Sequence, residues 1–315
     1  MTATPRQIRI ETGARLHFGL LDTTAPFGGL GVMIDQPATC IELALHDVDS
    51  IDPRIARRAA PIADRLRRWI GIESLPPVTI QMLQSAPAHS GLGSGTQLSL
   101  AIAEGLARLI GQDLPTETLA CQIADRGKRS AVGVHGYFAG GLIYEAAQAQ
   151  SPRLNPVRRR IQLPSAWRIV VLRPRDNDAT VSGAVERRKF ARLAASPDPP
   201  REQLQQVLTD QLLPAAEQGD FDAFTAAVGR YNHASGMLFA AAQGGPYNGR
   251  VVSELVAKLQ AAGAAGVGQS SWGPGVFAWC PDQATAKHLA AQFGSASVAT
   301  NVVQVKSDGR KLVSA

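Results

Sequence analysis

PAHSGLGSGTQLSLAIAEGLARLIG, residues 87–111, is the most informative stretch of the sequence. It follows a run in which Val78, Ile80 and Met82 alternate with polar residues, which predicts a strand with one buried face. Apolar residues at helical spacing then predict a helix over residues 96–110. Between them, glycines allow close backbone approach and positive φ. The free N–H groups and dipole of a helix start favour an anion in such a loop, although a loop that only turns strand into helix stays an alternative.

Two familiar phosphate loops do not fit these residues. A GxxxxGK[ST] loop is excluded because the stretch holds no lysine, and GxGxxG fails because Thr96 stands at the third glycine position. The candidate phosphate-binding residues are therefore those of the glycine-serine loop itself: Gly91, Leu92, Gly93, Ser94, Gly95 and Thr96.

Composition indicates an ordinary globular chain. Its 315 residues are 45% hydrophobic and 18% charged, which excludes a disordered, collagen-like or coiled-coil protein and favours two domains. The net charge of +6 comes mostly from arginine and fits nucleic acid, an anionic membrane surface or a small polyanion, unless it only reflects an arginine-rich codon usage. Cys40, Cys121 and Cys280 show no disulfide or zinc spacing.

No secretory signal and no apolar run of about 18 residues is present, so we expect a cytoplasmic protein. Outward from the loop, the patterns predict strands at residues 7–11, 14–21, 31–35 and 39–46, and helices at 55–70 and 116–125, with Pro61 as a kink or boundary. A glycine-rich stretch, 127–145, ends in a strand, and a polar, proline-bearing stretch follows at 147–160.

The second half alternates helices and strands. We expect strands at residues 167–174, 275–280 and 297–305, and helices at 181–193, 203–213, 221–234, 251–262 and 283–293. Because sequential strands of the first half look antiparallel, the fold class is α+β, with domains at residues 1–155 and 156–315 and no internal repeat.

Three motifs in order carry a family resemblance. GLGS with its small-residue helix resembles the second motif of the GHMP kinase superfamily, GARLHFGLLD (residues 13–22) its first, and GAAGVGQSSWGPGVFAW (263–279) its third. The versions ARLHFGLLD and GVGQSSWGP, with Ser182, Gly183 and Glu186 of an SGxxE element, are similar to one branch, the β-ribofuranosylaminobenzene 5′-phosphate synthases.

The resemblance implies a fold and a reaction. The fold is the GHMP-kinase fold, a ribosomal-protein-S5-domain-2-like N-terminal domain and a ferredoxin-like C-terminal domain. The branch condenses phosphoribosyl pyrophosphate with 4-hydroxybenzoate or 4-aminobenzoate, releasing CO2 and pyrophosphate, in tetrahydromethanopterin biosynthesis. The resemblance also implies Mg2+, no organic cofactor and small anionic substrates. We expect no nucleic acid or membrane partner, and a homodimer is left open.

One departure weakens a kinase assignment. Kinases of the mevalonate type carry an aspartate shortly before a GG-bearing strand, and alignment on Gly140 and Gly141 places Gly133 there. Without that carboxylate, phosphoryl transfer lacks its obvious base. An ATP-dependent small-molecule kinase remains the alternative, and a non-catalytic binder of nucleic acid or another ligand is a weaker one.

Site residues follow from residue type and motif. Arg15 and His17 alternate on one strand, so they share a face and suit an anion clamp, with His17 also a catalytic candidate. A structural histidine is the competing interpretation for His17. Asp22, with a turn aspartate as the alternative, and His135, between Gly133 and Gly136, are the other catalytic candidates. Asp176 and Asp178 form an acidic pair, more typical of a surface loop than a metal site, so the metal ligands stay unassigned. The third motif supplies donors and an aromatic wall: Gln269, Ser270, Ser271 and Trp272.

Overall fold

The computed structural model describes residues 5–25, 27–147, 153–175 and 201–315. The helix predicted at 181–193, the SGxxE element and the acidic pair Asp176 and Asp178 lie outside the described residues.

The first sheet is built mainly from the N-terminal half. Its strands run in the order β11-β1-β2-β4-β3, and β5 pairs with the other part of β2 and with β6. The strands are β1 (Gln7–Leu20), β2 (Gly29–Leu45), β3 (Ser50–Ile51), β4 (Val78–Gln84), β5 (Leu142–Glu145), β6 (Val157–Ile161) and β11 (Lys311–Ser314). All pairs are antiparallel except β3 with β4, which confirms the α+β class.

The helices of this half are α1 (Pro53–Ile70), α2 (Ser94–Leu109) and α3 (Val132–Ala139), with a π-helical segment at Thr118–Ile123. Pro61 lies inside α1 and does not end it. The helix continues because Ile55, Ile62 and Leu66 bury one face in the core of the first sheet, and that packing outweighs the loss of one backbone donor.

The second sheet has the strand order β10-β7-β9-β8, again antiparallel. Its strands are β7 (Arg168–Pro174), β8 (Ala265–Gln269), β9 (Val276–Cys280) and β10 (Val298–Val303). The helices are α4 (Arg201–Gln206), a π-helical segment (Val207–Leu212), α5 (Leu213–Gln218), α6 (Phe221–Met237), α7 (Ala240–Gln243), α8 (Gly249–Ala261) and α9 (Gln283–Phe293).

Several elements differ from the sequence prediction. The strands expected at residues 7–11 and 14–21 form one strand, β1, and those expected at 31–35 and 39–46 form one strand, β2. Register shifts between Thr12 and Ala14 and between His17 and Gly19 allow β1 and β2 to stay paired in one ladder. Short elements also lie in stretches interpreted as glycine loop or linker: α3, β6 and β8.

The boundary expected near residue 155 does not separate the sheets. β6 pairs with β5, and β11, formed by residues 311–314, pairs with β1, so both belong to the first sheet. One apolar cluster also joins the halves: Phe18 of β1 stacks on Phe277 of β9 at 5.2 Å between ring centroids and lies 6.2 Å from Trp279.

No helix in the described part of the chain is long and apolar enough to cross a membrane.

Candidate active site

Backbone hydrogen bonds bring the three motifs together at one place. The Arg15 amide of β1 donates to the Leu92 carbonyl of the glycine-serine loop at 2.9 Å. The Ser271 amide donates to the His17 carbonyl at 3.1 Å, and the Gly275 amide to the Ser90 carbonyl at 3.1 Å. The first, second and third motifs therefore form one continuous surface.

Ser270 is the buried link in this surface. Its hydroxyl accepts from the His17 amide at 3.0 Å and donates to the Gly91 carbonyl at 2.8 Å. The side chain is fully buried and does not line the neighbouring cavity. Ser270 therefore holds the loops together, whereas sequence analysis gave it a substrate-binding role.

A cavity of about 560 Å³ opens above this surface. The predicted site residues that line it are Arg15, His17, all six residues from Gly91 to Thr96, and Gln269, Ser271 and Trp272. Its positive side chains are Arg15, Arg58, Arg126, Lys128 and Arg129, and the carboxylate among its lining residues is Asp125. Such a wall favours a polyanion, because cations close to a desolvated cleft raise the local concentration of anions.

The start of helix α2 forms the most positive end of the cavity. Gly93, at φ 70°, is the N-cap and no side chain caps the helix. The Thr96 amide donates to the Gly93 carbonyl, so the amides of Ser94 and Gly95 are the ones that suit a ligand. Arg58 donates to the Gly95 carbonyl at 3.2 Å and to the Ser99 hydroxyl at 3.1 Å, and Arg126 donates to the same hydroxyl at 3.0 and 3.2 Å. Burial lowers the pKa of Arg58.

Arg15 occupies the space beside Gly133. A Cβ added to Gly133 would stand 3.5 Å from Arg15 Nε and 3.5 Å from Thr96 Cγ2, and one added to Gly93 would stand 3.3 Å from Arg15 Nε. Gln97 fixes this helix start by donating to the Gly133 carbonyl at 2.8 Å. The group beside Gly133 is therefore a guanidinium, which binds anions and does not accept protons.

His17 and Glu145 lie close to each other beside Gly29. His17 Nε2 is 3.0 Å from the Ser130 hydroxyl. Burial and the charges of Arg15 and Arg129 hold the pKa of His17 well below its usual range, so the ring is neutral. Burial raises the pKa of Glu145 to about 8, although Ser130, the Ala131 amide and Arg15 act in the opposite direction. Glu145 was missed from the sequence because it reads as the end of a buried strand.

The third motif supplies an aromatic wall. Trp272 packs edge-on against Phe239 at 5.1 Å between centroids, and both line the cavity. Gln269 sets this loop, because its Oε1 accepts from the Asn248 amide at 2.7 Å and its Nε2 donates to the Ser271 carbonyl at 2.8 Å. Phe239 follows helix α6 and carried no motif signal.

Two predicted catalytic residues lie off the cavity lining. Asp22 accepts from the Thr24 amide at 2.9 Å and pairs with Arg201 at 3.4 Å, as a turn aspartate does. His135 Nε2 donates to the Asn155 carbonyl at 2.7 Å, and burial lowers its pKa. The contacts of Asp22 fit the turn interpretation, and the His135 ring is held by a backbone carbonyl. In the described ranges, no group of three or more His, Cys, Asp or Glu side chains could hold a metal.

Two family models match this chain, the GHMP kinases N terminal domain over residues 55–141 and the GHMP kinases C terminal domain over residues 212–299. With the three motifs converging on one cavity, the chain belongs to the GHMP kinase superfamily. A protein of Methanothermobacter thermautotrophicus named beta-ribofuranosylphenol 5′-phosphate synthase is 29% identical to it, over 86% of this chain and 88% of that protein. A protein of the same name from Archaeoglobus fulgidus is 25% identical over 71% of this chain and 74% of its own length.

Solved structures show the same fold. Homoserine kinase from Cytophaga hutchinsonii superimposes with a TM-score of 0.72 at 18% identity, covering 99% of both chains. Mevalonate diphosphate decarboxylase from Staphylococcus aureus gives a TM-score of 0.68 at 13% identity, covering 98% of both chains. At these identities the likeness defines the fold alone.

Proposed function

We propose that the protein is a decarboxylating phosphoribosyl transferase, which condenses phosphoribosyl pyrophosphate with 4-hydroxybenzoate or 4-aminobenzoate and releases CO2 and pyrophosphate. The names of its relatives support this reaction. The observation that carries this proposal is the lining of the cavity. Five cationic side chains and one carboxylate line it, together with the Phe239–Trp272 pair. Both substrates are anionic and one is aromatic, so this wall suits them together. We place the reaction in the cytoplasm and in tetrahydromethanopterin biosynthesis.

The side chains and amides of the cavity suit different parts of the two substrates. The α2 amides, with Arg58 and Arg126 behind them, suit a phosphate or the pyrophosphate. Arg15 suits the charge that grows on the leaving pyrophosphate as the C1–O bond breaks. Trp272 and Phe239 suit the flat ring of the acid.

The bond changes balance without an organic cofactor. The ring carbon that bears the carboxylate attacks C1 of the ribose while pyrophosphate leaves with the C1–O electron pair. The electrons of the C–COO⁻ bond then return to the ring as CO2 departs. Alignment of the two substrates in the cavity would supply much of the rate.

Mg2+ would bind at this site together with the substrate phosphates. Mg2+ is commonly held by one or two carboxylates together with substrate phosphates. Asp125 lines the cavity and offers one carboxylate, at present paired with Lys128 at 2.6 Å. When bound, the ion would neutralise charge on the pyrophosphate.

The test follows carbon dioxide. Purified protein with Mg2+, phosphoribosyl pyrophosphate and carboxyl-labelled 4-hydroxybenzoate should release labelled CO2 only when both substrates are present; 4-aminobenzoate is tested in parallel. Consumption of ATP with phosphorylation of a hydroxyl compound, and no CO2 release from either acid, would establish the kinase alternative instead.

A matched pair of arginine variants locates the reaction in the cavity. Arg15→Met should lower kcat/KM by about 10- to 100-fold, because a hydrogen bond to a charged group contributes about 1.5–3 kcal/mol. Arg57→Met, on the exposed face of α1 and outside the cavity lining, should leave kcat/KM within about twofold of the unsubstituted protein. Equal losses in both variants would exclude this cavity as the site.

A further inference from the structure

Glu145 is a fully buried carboxyl group beside the cavity wall. Its Oε2 accepts a hydrogen bond from the Ala131 amide at 2.6 Å, but its Oε1 is buried without a hydrogen-bond partner. A buried carboxyl with an unsatisfied oxygen destabilises a fold, so its presence next to a candidate active site points to a role.

Ser130 connects Glu145 to the cavity. Its hydroxyl hydrogen-bonds His17 Nε2 and also interacts with the Glu145 carboxyl. Ser130 and His17 line the cavity, whereas Glu145 does not. A Cβ added to Gly29 would stand 3.2 Å from His17 Nε2 and 3.5 Å from Glu145 Oε1, so the ring nitrogen and the unsatisfied oxygen face the same small space.

The charges around this group favour a neutral His17 ring, but the Arg15 charge opposes the protonated form of Glu145. Arg15 from β1 acts on both His17 and Glu145, and Arg129, which precedes α3, acts on His17. From α6, Tyr231 interacts electrostatically with Glu145 and with Tyr144 of β5. Burial is the largest influence on both groups, and it opposes charge on each.

We propose that Glu145 is the positioning residue of His17: acting through Ser130, it determines which nitrogen of the His17 ring carries the proton. The assignment of His17 to the chemistry of the cavity rests on the proposed function, but the coupling of Glu145 to His17 does not.

The proton count gives two states. When Glu145 is protonated, it donates to Ser130, Ser130 donates to His17 Nε2, and the neutral ring carries its proton on Nδ1. When Glu145 is ionised, Ser130 donates to the carboxylate, His17 Nε2–H donates to Ser130, and Nδ1 is bare. The change from the first state to the second releases one proton from Nδ1, while the carboxyl proton moves to Ser130 and the hydroxyl proton to Nε2. The ring is neutral in both states.

Long-range proton–nitrogen NMR of protein labelled with ¹⁵N-histidine tests this coupling directly. In the unsubstituted protein the His17 ring should carry its proton on Nδ1 at pH 6.5 and on Nε2 at pH 9.5, with a midpoint near pH 8. In Glu145→Gln, the side-chain oxygen accepts from the Ala131 amide and leaves the NH2 group to donate to Ser130, so the proton should stay on Nδ1 throughout. In Ser130→Ala the change near pH 8 should disappear.

His135 is the internal control for folding. Because its Nε2 donates to a carbonyl oxygen, its ring should carry the proton on Nε2 in every variant, and a retained His135 signal shows that the fold is intact. A His17 ring that behaves identically in the unsubstituted protein and in Glu145→Gln would overturn the proposal.

Kinetics provides the second measurement. With phosphoribosyl pyrophosphate and 4-hydroxybenzoate, the pH profile of kcat/KM should bend near pH 8 in the unsubstituted protein and lose that bend in Glu145→Gln, whereas the Kd for pyrophosphate should change by less than threefold. An unchanged bend in Glu145→Gln would count against the proposal. If the substrates give no CO2 in any variant while the NMR change is present, the proposed function fails and the coupling stands.

Discussion

Burial shifts the pKa values of His17 and Glu145 in opposite directions and thereby keeps both side chains neutral. His17 loses its proton more easily than a free imidazole, because it is buried close to Arg15 and Arg129. Glu145 keeps its proton far above the usual range of a carboxyl, because the same burial disfavours the anion. The cavity therefore presents arginines to a ligand while the two buried titratable side chains beside it stay neutral at pH 7.

The raised pKa of Glu145 has a measurable effect on stability. Between the ordinary carboxyl value of 4.5 and the folded value of about 8, the folded state holds a proton that the unfolded state has lost. The free energy of unfolding therefore falls as pH rises through this range. Glu145→Gln has no titrating group here, so its free energy of unfolding should not fall in this way. The free energy of unfolding of the variant minus that of the unsubstituted protein should therefore rise by about 4 kcal/mol from pH 5 to pH 8, at about 1.4 kcal/mol per pKa unit. Urea unfolding at pH 5, 6.5 and 8 measures it; parallel pH profiles of the two proteins would contradict it.

At the scale of elements, the approach of the glycine-serine loop to the third motif depends on glycine. Gly91 lies at φ 76°, and a Cβ there would stand 2.4 Å from the Ser270 carbonyl oxygen, so any other residue would push the two loops apart. Gly71, which ends α1, has the same φ of 76° but no atom within 4 Å of the added Cβ.

A comparison of Gly71→Ala with Gly91→Ala separates the cost of backbone strain from the cost of the lost loop packing. Gly71→Ala should lower the free energy of unfolding by about 1 kcal/mol, the usual cost of left-handed backbone for alanine. Gly91→Ala should lower it by about 3 kcal/mol or more, because the clash is with backbone that cannot rotate away. It should also weaken pyrophosphate binding, since the start of α2 moves with the loop. Thermal unfolding and calorimetric titration measure the two effects, and equal destabilisation by both variants would refute the packing argument.

At the scale of the whole molecule, the cavity lies where the two sheets share a core. Phe18 of β1 contacts Phe277 and Trp279 of β9, and Trp279 packs edge-on against Phe224 of α6 at 5.0 Å. These rings form part of the apolar cluster that holds the first motif against the third.

A shared core predicts that the two sheets unfold together. Phe18→Ala should lower the free energy of unfolding by about 3–5 kcal/mol. It should shift one transition, seen at the same urea concentration by circular dichroism and by tryptophan fluorescence. Phe18→Leu, which keeps most of the volume, should cost about half as much. Two separate transitions, with only one moved by Phe18→Ala, would show that the sheets are independent.

Local patterns predicted the elements that have strong periodicity and their order. The strand, loop and helix at residues 78–109 and the antiparallel character of the first half follow from spacing alone, because near neighbours in sequence set turn and helix geometry. β6 and β11 could not be predicted in this way: β6 is mostly exposed arginine at a sheet edge, and β11 is four residues long, so neither carries an alternating apolar signal.

The sequence by itself determined the family, the α+β class and the residues that each motif contributes to the cavity: Arg15, His17, Gly91 to Thr96, and Trp272. Only the tertiary structure showed that Arg58, Arg126 and Phe239 join them, that Ser270 is a structural link and that Glu145 lies behind His17. The reason is distance along the chain: the contact between the His17 amide and Ser270 spans 253 residues. Such contacts are set by core packing, which also places four of the arginines of this chain, Arg15, Arg58, Arg126 and Arg129, around one cavity.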